Sequence, residues 1–130
     1  MAGSKRTPRA RACPCGSPSY AECCGPIHDG KPAPDPEALM RSRFSAFALD
    51  LSDYVLHSWL PETRPDELES DPALRWVRLE VLESTGGGLF DAEGFVEFRA
   101  HYRDGGTPGV MTERSRFVRH DGRWVYQGPV

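Results

Sequence analysis

Four cysteines, the whole thiol content of this 130-residue chain, lie between positions 13 and 24. Cys13 and Cys15 are separated by one residue, Cys23 and Cys24 are adjacent, and seven residues lie between the two pairs. Two close pairs joined by a turn can supply the four thiolates of a tetrahedral zinc site. Disulfides fit less well, because adjacent cysteines bridge only through a strained peptide and the C-x-x-C spacing of thiol oxidoreductases is absent. The spacing favours a metal site, with redox chemistry and idle thiols as the alternatives.

A site closed by four thiolates has no open position for water, so its zinc is expected to be structural. A loop of this length cannot bury a core of its own, and the metal should therefore supply its folding energy. His28 is the competing ligand nearby. Since four cysteines are already present, we expect His28 at the surface or at an interface.

The pattern C-P-C-G-S…Y-x-x-C-C-G, residues 13–25, resembles the SEC-C motif, the zinc knuckle at the C-terminus of the translocase ATPase SecA. That knuckle contacts the chaperone SecB and the ribosome. The resemblance therefore implies zinc on the four cysteines and a docking surface for a protein partner. Two departures are visible: the stretch between the pairs is one residue shorter than usual, and it reads "GSPSYAE", without the lysines of SecA. We expect one tighter turn and a less basic docking face.

The segment after the knuckle predicts helices. Asp35 has the position of an N-cap, with Pro36 at the first helical position and Glu37 in the first turn. A shorter helix is expected over residues 54–59, where Pro61 ends it. Apolar residues of the first helix recur at helical spacing and predict one buried face, made of Met40, Phe44, Phe47 and Leu51.

The second half of the chain predicts four strands, at residues 75–83, 94–103, 110–120 and 123–128. Asp121-Gly122 favours a tight reversal between the last two strands. Alternation predicts two sets of inward side chains: Val77, Leu79 and Val81 in the first strand, and Val96, Phe98, Ala100 and Tyr102 in the second. Helices followed by four strands indicate an α+β fold, with the helices packed on one face of a curved antiparallel sheet.

This order is similar to the cone-shaped nuclear-transport-factor-2-like fold. Blocks such as "APDPEALMRSRFSAF", "FVEFRAHYR" and "ERSRFVRHDGRWVY" resemble the YchJ family of small bacterial proteins, which combine a SEC-C motif with a domain of that shape. The resemblance runs from about Cys13 to Gly128 and implies the fold and the zinc, but no particular reaction. We predict a flexible basic tail at 1–12, the zinc knuckle at 13–29 and the cone domain at 30–130.

In nuclear-transport-factor-2-like domains a pocket often opens between the sheet and the long helix, and several relatives are enzymes. Glu113 and Ser115 alternate with core Phe117 on their strand, so both should point inward. An inward carboxylate must be paired, and Arg43 at the edge of the core is the expected partner in a structural bridge. The alternative is a ligand pocket in which Arg43 orients an anionic ligand and Glu113 acts as a base. His57 is a further acid or base candidate beside a plain surface role, and the tryptophans are expected to pack.

Charge and hydropathy limit the ligand classes. The net charge is −3, but residues 1–12 carry four basic residues and no acid, so the remaining 118 residues sum to −7. The basic tail can touch RNA or an acidic partner or can simply be solubilising, and the acidic body argues against nucleic acid as the main ligand. No apolar run approaches the roughly 18 residues of a membrane span. We place the protein in the cytoplasm, where thiols stay reduced.

Three functions follow from these patterns. The leading one is a zinc-binding, non-catalytic interaction protein whose knuckle docks a protein partner. The second is a small-molecule-binding protein or enzyme that uses the cone pocket around Arg43, His57, Glu113 and Ser115. The third is a thiol redox sensor. Dimerisation through the exposed face of the sheet is also compatible with a domain of this shape, but no pattern indicates the oligomeric state.

Overall fold

A computed structural model describes residues 11–69 and 71–130. Most of the predicted basic tail therefore lies outside the described residues. Within these residues there are three helices and four strands: α1 (Cys24–His28), α2 (Pro36–Ala48), α3 (Ser52–His57), β1 (Leu74–Gly86), β2 (Glu93–Asp104), β3 (Thr107–His120) and β4 (Arg123–Pro129). The α+β class is confirmed, whereas α1 was not predicted. No helix in the described ranges is long and apolar enough to cross a bilayer.

The start of α2 follows the predicted chemistry. The Asp35 side chain accepts a hydrogen bond from the Ala38 N–H at 2.8 Å, and Pro36 occupies the first turn. This cap satisfies one of the backbone donors that every helix start leaves without an internal partner. After α2 the chain turns at Asp50, which has a left-handed φ of 62°. The next helix, α3, begins at Ser52, two residues earlier than predicted, and ends at His57.

The four strands form one antiparallel sheet in the order β1-β2-β3-β4, so each strand pairs with its neighbour in the chain. All four predicted strands are present and extend slightly beyond their predicted bounds. The hairpin between β3 and β4 turns at Asp121 and Gly122, with φ of 51° and 79°. Two successive positive φ values are what a two-residue hairpin of this twist requires, as predicted.

The inward face of β1 differs from the prediction. Leu79 is buried and Val81 half-buried, but Val77 is 52% exposed. A register shift between Trp76 and Arg78 places an additional residue in β1 at this point. Such a bulge changes the alternation of side chains, and Trp76 takes the inward position beside Phe44.

Helix α2 is buried on two sides rather than on one. One side packs on the sheet, and the other lies under the knuckle, whose cysteines belong to the same buried cluster as the residues of the sheet. Phe47, predicted to be buried, is 40% exposed, whereas Ser42 and Ser45 are fully buried. The knuckle accounts for the burial of Ser42 and Ser45, because it covers a face that the apolar pattern alone leaves open to solvent. Phe47 lies on the sheet side instead, beside Trp76. The predicted boundary at residues 29 and 30 stays a prediction.

Candidate metal centre and ligand cavity

The four cysteine sulfurs converge at one point. All four Sγ atoms lie within 4.8 Å of one another, and the Cys15–Cys23 and Cys23–Cys24 Sγ distances are 3.6 and 3.9 Å. These separations are close to about 3.8 Å, the edge of a tetrahedron with metal–sulfur bonds of about 2.3 Å. No cysteine forms a disulfide, and three of the four side chains are buried.

Tight turns place these sulfurs. The Gly16 N–H donates to the Cys13 carbonyl at 3.0 Å, and Gly16 has a φ of 112°, which glycine adopts without strain. Cys23 and Gly25 both donate their N–H groups to the Tyr20 carbonyl. A Cβ atom at Gly25 would lie 2.9 Å from that carbonyl oxygen, so only glycine fits there. The short helix α1 then begins at Cys24 and fixes the direction of its side chain.

Side chains of α2 surround the cysteine cluster. The Ser45 hydroxyl lies 3.4 Å from the sulfurs of both Cys13 and Cys24, and Arg41 donates to the Cys15 carbonyl at 3.2 Å. Hydrogen-bond donors around thiolates are what a metal centre with four thiolates needs, because such a centre carries surplus negative charge.

His28 lies between the knuckle and α2. Its Nε2 is 2.8 Å from the Ser42 carbonyl oxygen, an acceptor, so Nε2 carries the proton; its Nδ1 then accepts from the Tyr20 hydroxyl at 2.7 Å. Both ring nitrogens are thus engaged in packing the knuckle on the helix. This is the interface position that the sequence allowed for His28.

The pKa values of three of the four thiols are shifted by their contacts with one another and by burial. Hydrogen bonding from Cys24, first among several causes, lowers the pKa of Cys15 to about 4. The same contact, followed by burial, raises the pKa of Cys24, and burial raises the pKa of Cys23. One thiolate is therefore stabilised by protons that its neighbours keep. A divalent cation would replace those protons, and the donor set, the distances and the burial all fit a metal ion such as zinc.

A separate cavity of about 230 Å³ opens between the sheet and α2. We call it the aromatic cavity, because six of its twelve lining side chains are aromatic; of the other six, three are apolar and three are polar or charged. It is lined by Met40, Arg43, Phe44, Phe47, Trp59, Trp76, Phe98, Ala100, Met111, Glu113, Ser115 and Tyr126.

Arg43 is the cation of the aromatic cavity and is 4% exposed. Its Nη1 donates to the Ser58 hydroxyl at 2.6 Å and to the Val55 carbonyl at 3.3 Å. The guanidinium lies 4.0 Å from the ring centre of Tyr126 and 4.6 Å from that of Trp59. Burial lowers the pKa of Arg43 to about 10, which leaves it charged at neutral pH. Two aromatic ring faces and two hydrogen bonds therefore stabilise the buried positive charge of Arg43.

Glu113 is the carboxylate of the same cavity. Its Oε2 accepts from the Ser115 hydroxyl at 2.5 Å and from the Tyr126 hydroxyl at 2.8 Å. Burial and this carboxylate together raise the pKa of Tyr126, which keeps its proton. Within the described part of the chain, Glu113 Oε1 has no hydrogen-bond partner.

The structure brings together three of the four predicted pocket residues. Arg43, Glu113 and Ser115 line the aromatic cavity, whereas His57 is exposed and lies with Arg123 in a different crevice. The predicted Arg43–Glu113 ion pair is wrong, because each of these side chains hydrogen-bonds to other groups. Tyr126, which touches both, was missed.

A signal for Tyr126 was present in the sequence. The hairpin at Asp121-Gly122 sets the register in which Phe117 pairs with Tyr126. Paired residues share a face of the sheet, and Phe117 had already been assigned to the inward face together with Glu113. The hairpin register therefore predicts Tyr126 on the same inward face of the sheet as Glu113.

Relatives and solved structures agree with this architecture. Residues 35–129 match a family model described as the YchJ middle NTF2-like domain. A UPF0225 protein of Chromobacterium violaceum is 50% identical, over 95% of this chain and 94% of its own length. A UPF0225 protein of Streptomyces coelicolor is 51% identical, over 88% and 90%.

Two solved structures are similar over most of their length. The solution structure of a SEC-C motif containing protein from Rhodopseudomonas palustris has a TM-score of 0.79 at 37% identity, covering 92% of this chain and 98% of that one. The crystal structure of a SEC-C motif containing protein from Psychrobacter arcticus has a TM-score of 0.75 at 26% identity, covering 95% and 84%. With its N-terminal cysteine cluster and its sheet and helices, the chain belongs to the YchJ (UPF0225) family of SEC-C and NTF2-like proteins.

Proposed function

We propose that the protein binds one zinc ion through Cys13, Cys15, Cys23 and Cys24, and that this zinc is structural. The observation that carries the proposal is the convergence of four sulfurs within 4.8 Å, at separations that suit tetrahedral thiolate coordination. Four protein ligands fill the tetrahedron and leave no position for a water or substrate. The centre is therefore non-catalytic.

The zinc has a defined mechanical role in this proposal. The four cysteines are its ligands, and Ser45 and Arg41 connect the cysteine segment to α2. Because α2 also forms one wall of the aromatic cavity, the metal holds the knuckle and the cavity helix in one core. A reducing compartment, the cytoplasm, is part of the proposal, since the four thiols must stay free to bind the ion.

Elemental analysis of the purified chain tests the metal. We expect about one zinc per chain in the wild type and none in a Cys23→Ser/Cys24→Ser variant, with Ser17→Ala as the control that leaves all ligands in place. A wild-type protein that is free of metal yet folded, or that contains a Cys13–Cys24 disulfide, would contradict the proposal.

The docking role of the knuckle is a finer proposal, supported by the similarity to the SEC-C motif. The outer side of the knuckle exposes Gly16, Pro18, Ala21 and Glu22. Co-sedimentation with purified ribosomes is the first test, because the SecA knuckle contacts ribosomes. Ala21→Glu should weaken binding to the polyanionic ribosome while the zinc content stays at one, and the matched control Ala73→Glu, exposed in the turn before β1, should not. Equal binding of all three proteins, or none, rejects this docking role.

A further inference from the structure

We infer that the aromatic cavity is a binding site for a neutral, planar aromatic molecule that carries an N–H or O–H donor, and that Glu113 accepts that donor. This site is independent of the zinc proposal: the cavity lies on the sheet side of α2, whereas the cysteines lie on the other side. Three properties of the cavity define the ligand class: its volume and lining, its free hydrogen-bonding group and its balance of charge.

The volume and the lining set the size of the ligand. An apolar cavity of about 150 Å³ binds benzene. The aromatic cavity measures about 230 Å³, which suits one substituted ring or two fused rings. Ring edges and faces of Phe44, Trp76 and Phe98 surround this space, and aromatic side chains favour offset or edge-to-face contact with a planar ligand.

The cavity is also accessible from solvent. Two of its lining side chains, Phe47 and Met111, are 40% and 37% exposed, so the cavity reaches the surface beside them. Their exposure is the largest in the wall and marks the entrance. A ligand of ring size can enter there by displacing flexible side chains rather than backbone.

The Glu113 carboxylate supplies a free acceptor; Trp59, which also lines the cavity, has an Nε1 donor that is buried without a partner in the described residues. Ser115 and Tyr126 both donate to Oε2, which fixes the orientation of the carboxylate. Oε1 has no protein donor in the described residues and remains available as an acceptor. A carboxylate oxygen in an apolar wall gains strongly from a donor, and an N–H or O–H on the ligand supplies it.

The balance of charge selects a neutral ligand. The wall contains one cation, Arg43, and one anion, Glu113. A cationic ligand near Glu113 would meet the guanidinium of Arg43, and an anionic ligand near Arg43 would meet the carboxylate. Arg43 already uses Nη1 for Ser58 and Val55 and lies against the rings of Trp59 and Tyr126. Because Arg43 and Glu113 place opposite charges in one wall, the cavity favours a ligand without net charge.

Two probes that differ in a single group test this inference on the wild-type, full-length chain. Indole has two fused rings and an N–H donor, and benzofuran has the same shape with an oxygen in place of the N–H. Binding is followed by chemical-shift changes of backbone amides, including those of Phe98, Ala100 and Ser115. We expect saturable indole binding at these amides and benzofuran binding that is weaker by about tenfold or more. Equal affinities for the two probes would show that Glu113 does not select the ligand and would overturn the inference.

Variants and charged probes complete the test. Glu113→Gln should weaken indole binding by about tenfold, because the acceptor loses its charge. The matched change Glu80→Gln, on the outer face of the sheet beside His101, should leave it unchanged. Thermal unfolding of both variants separates loss of binding from loss of the fold. Benzoate or benzylamine binding more tightly than indole, or no probe shifting the cavity amides, would contradict the proposed ligand class.

Discussion

The candidate metal centre and the aromatic cavity lie on opposite sides of α2. Both contain buried polar groups, but these groups are stabilised in different ways. The metal centre gathers four groups of one kind, which share protons and need a cation. The cavity gathers one cation and one carboxylate: Arg43 contacts a hydroxyl, a carbonyl and aromatic rings, and Glu113 accepts two hydroxyls on one oxygen and leaves the other without a donor in the described residues. On the zinc proposal the first site is incomplete without its ion, whereas most polar groups of the second have partners within the chain. We therefore expect metal binding to make the larger contribution to the stability of the fold, and the cavity to determine which small molecule binds.

Removal of zinc is the strongest test of this difference. A ligand that binds only the folded state stabilises it by about 4 kcal/mol when present at a thousand times its Kd. We expect a chelator to lower the Tm by more than about 10 °C, because the knuckle loses its ligated core and uncovers one side of α2. Calorimetry before and after dialysis against the chelator measures the change. Recovery of the Tm on adding zinc is the control, and an unchanged Tm would show that the cysteines are not a metal centre.

Arg43→Met tests whether the two charges of the cavity support each other. The change keeps most of the packing volume but removes the donor to the Ser58 hydroxyl and leaves Glu113 without a nearby cation. The Val55 carbonyl loses one of its two donors, since the Ser58 hydroxyl still donates to it. We expect a loss of about 2–4 kcal/mol in the free energy of unfolding. Urea unfolding measures it.

A double variant, Arg43→Met with Glu113→Gln, separates the charge effect from the packing effect. If the charges support each other through Tyr126, the double variant should lose at least about 0.5 kcal/mol less than the sum of the single losses. Additive losses would mean that the two charged residues contribute independently. The zinc content of all these variants should stay at that of the wild type, because none of them touches a cysteine.

Ser45→Ala tests whether α2 stabilises the thiolates of the metal centre. The Ser45 hydroxyl lies 3.4 Å from two of the four sulfurs, and removing such a contact costs roughly tenfold in metal affinity. Competition with a chromophoric chelator measures the zinc Kd, and the exposed Ser84→Ala is the matched control. An unchanged Kd would show that α2 only packs against the knuckle and does not stabilise the thiolates.

Much of the fold follows from local patterns, because caps, alternation and the Asp-Gly turn depend on residues close in sequence. The strands, the start of α2 and the convergence of Cys13 with Cys24 were predictable for that reason. The burial of Ser45 was not, since it depends on where the knuckle packs, and no local pattern records that contact. The exposure of Phe47 was not either, since it depends on the cavity that opens between α2 and the sheet. The prediction that Val77 points inward was wrong, because a bulge leaves no periodic pattern in the sequence. The cavity was predicted only as a set of residues; the satisfaction of Arg43 by Ser58 requires two segments of the chain to meet.

Substitution of His57 should have the smallest effect on stability, and it tests whether the aromatic cavity extends beyond its observed lining. Burial, followed by the nearby charges of Arg123 and Arg64, lowers the pKa of His57 in the folded chain. The unfolded chain therefore binds the proton more readily. Stability is unaffected above about pH 6.5 and falls as the pH drops from there through the folded pKa. Because the side chain is exposed, the loss should be small.

His57→Gln should remove this part of the pH dependence, measured as the Tm from pH 7.5 to pH 5, and should leave indole binding unchanged across the same range. The effect on indole binding is the more informative of the two measurements, because it reports on the extent of the cavity. His57 lies outside the aromatic cavity, so a change in indole affinity on its substitution would mean that the cavity extends past Tyr126 to α3. The ligand class inferred from Glu113 would then have to include a group that reaches this histidine.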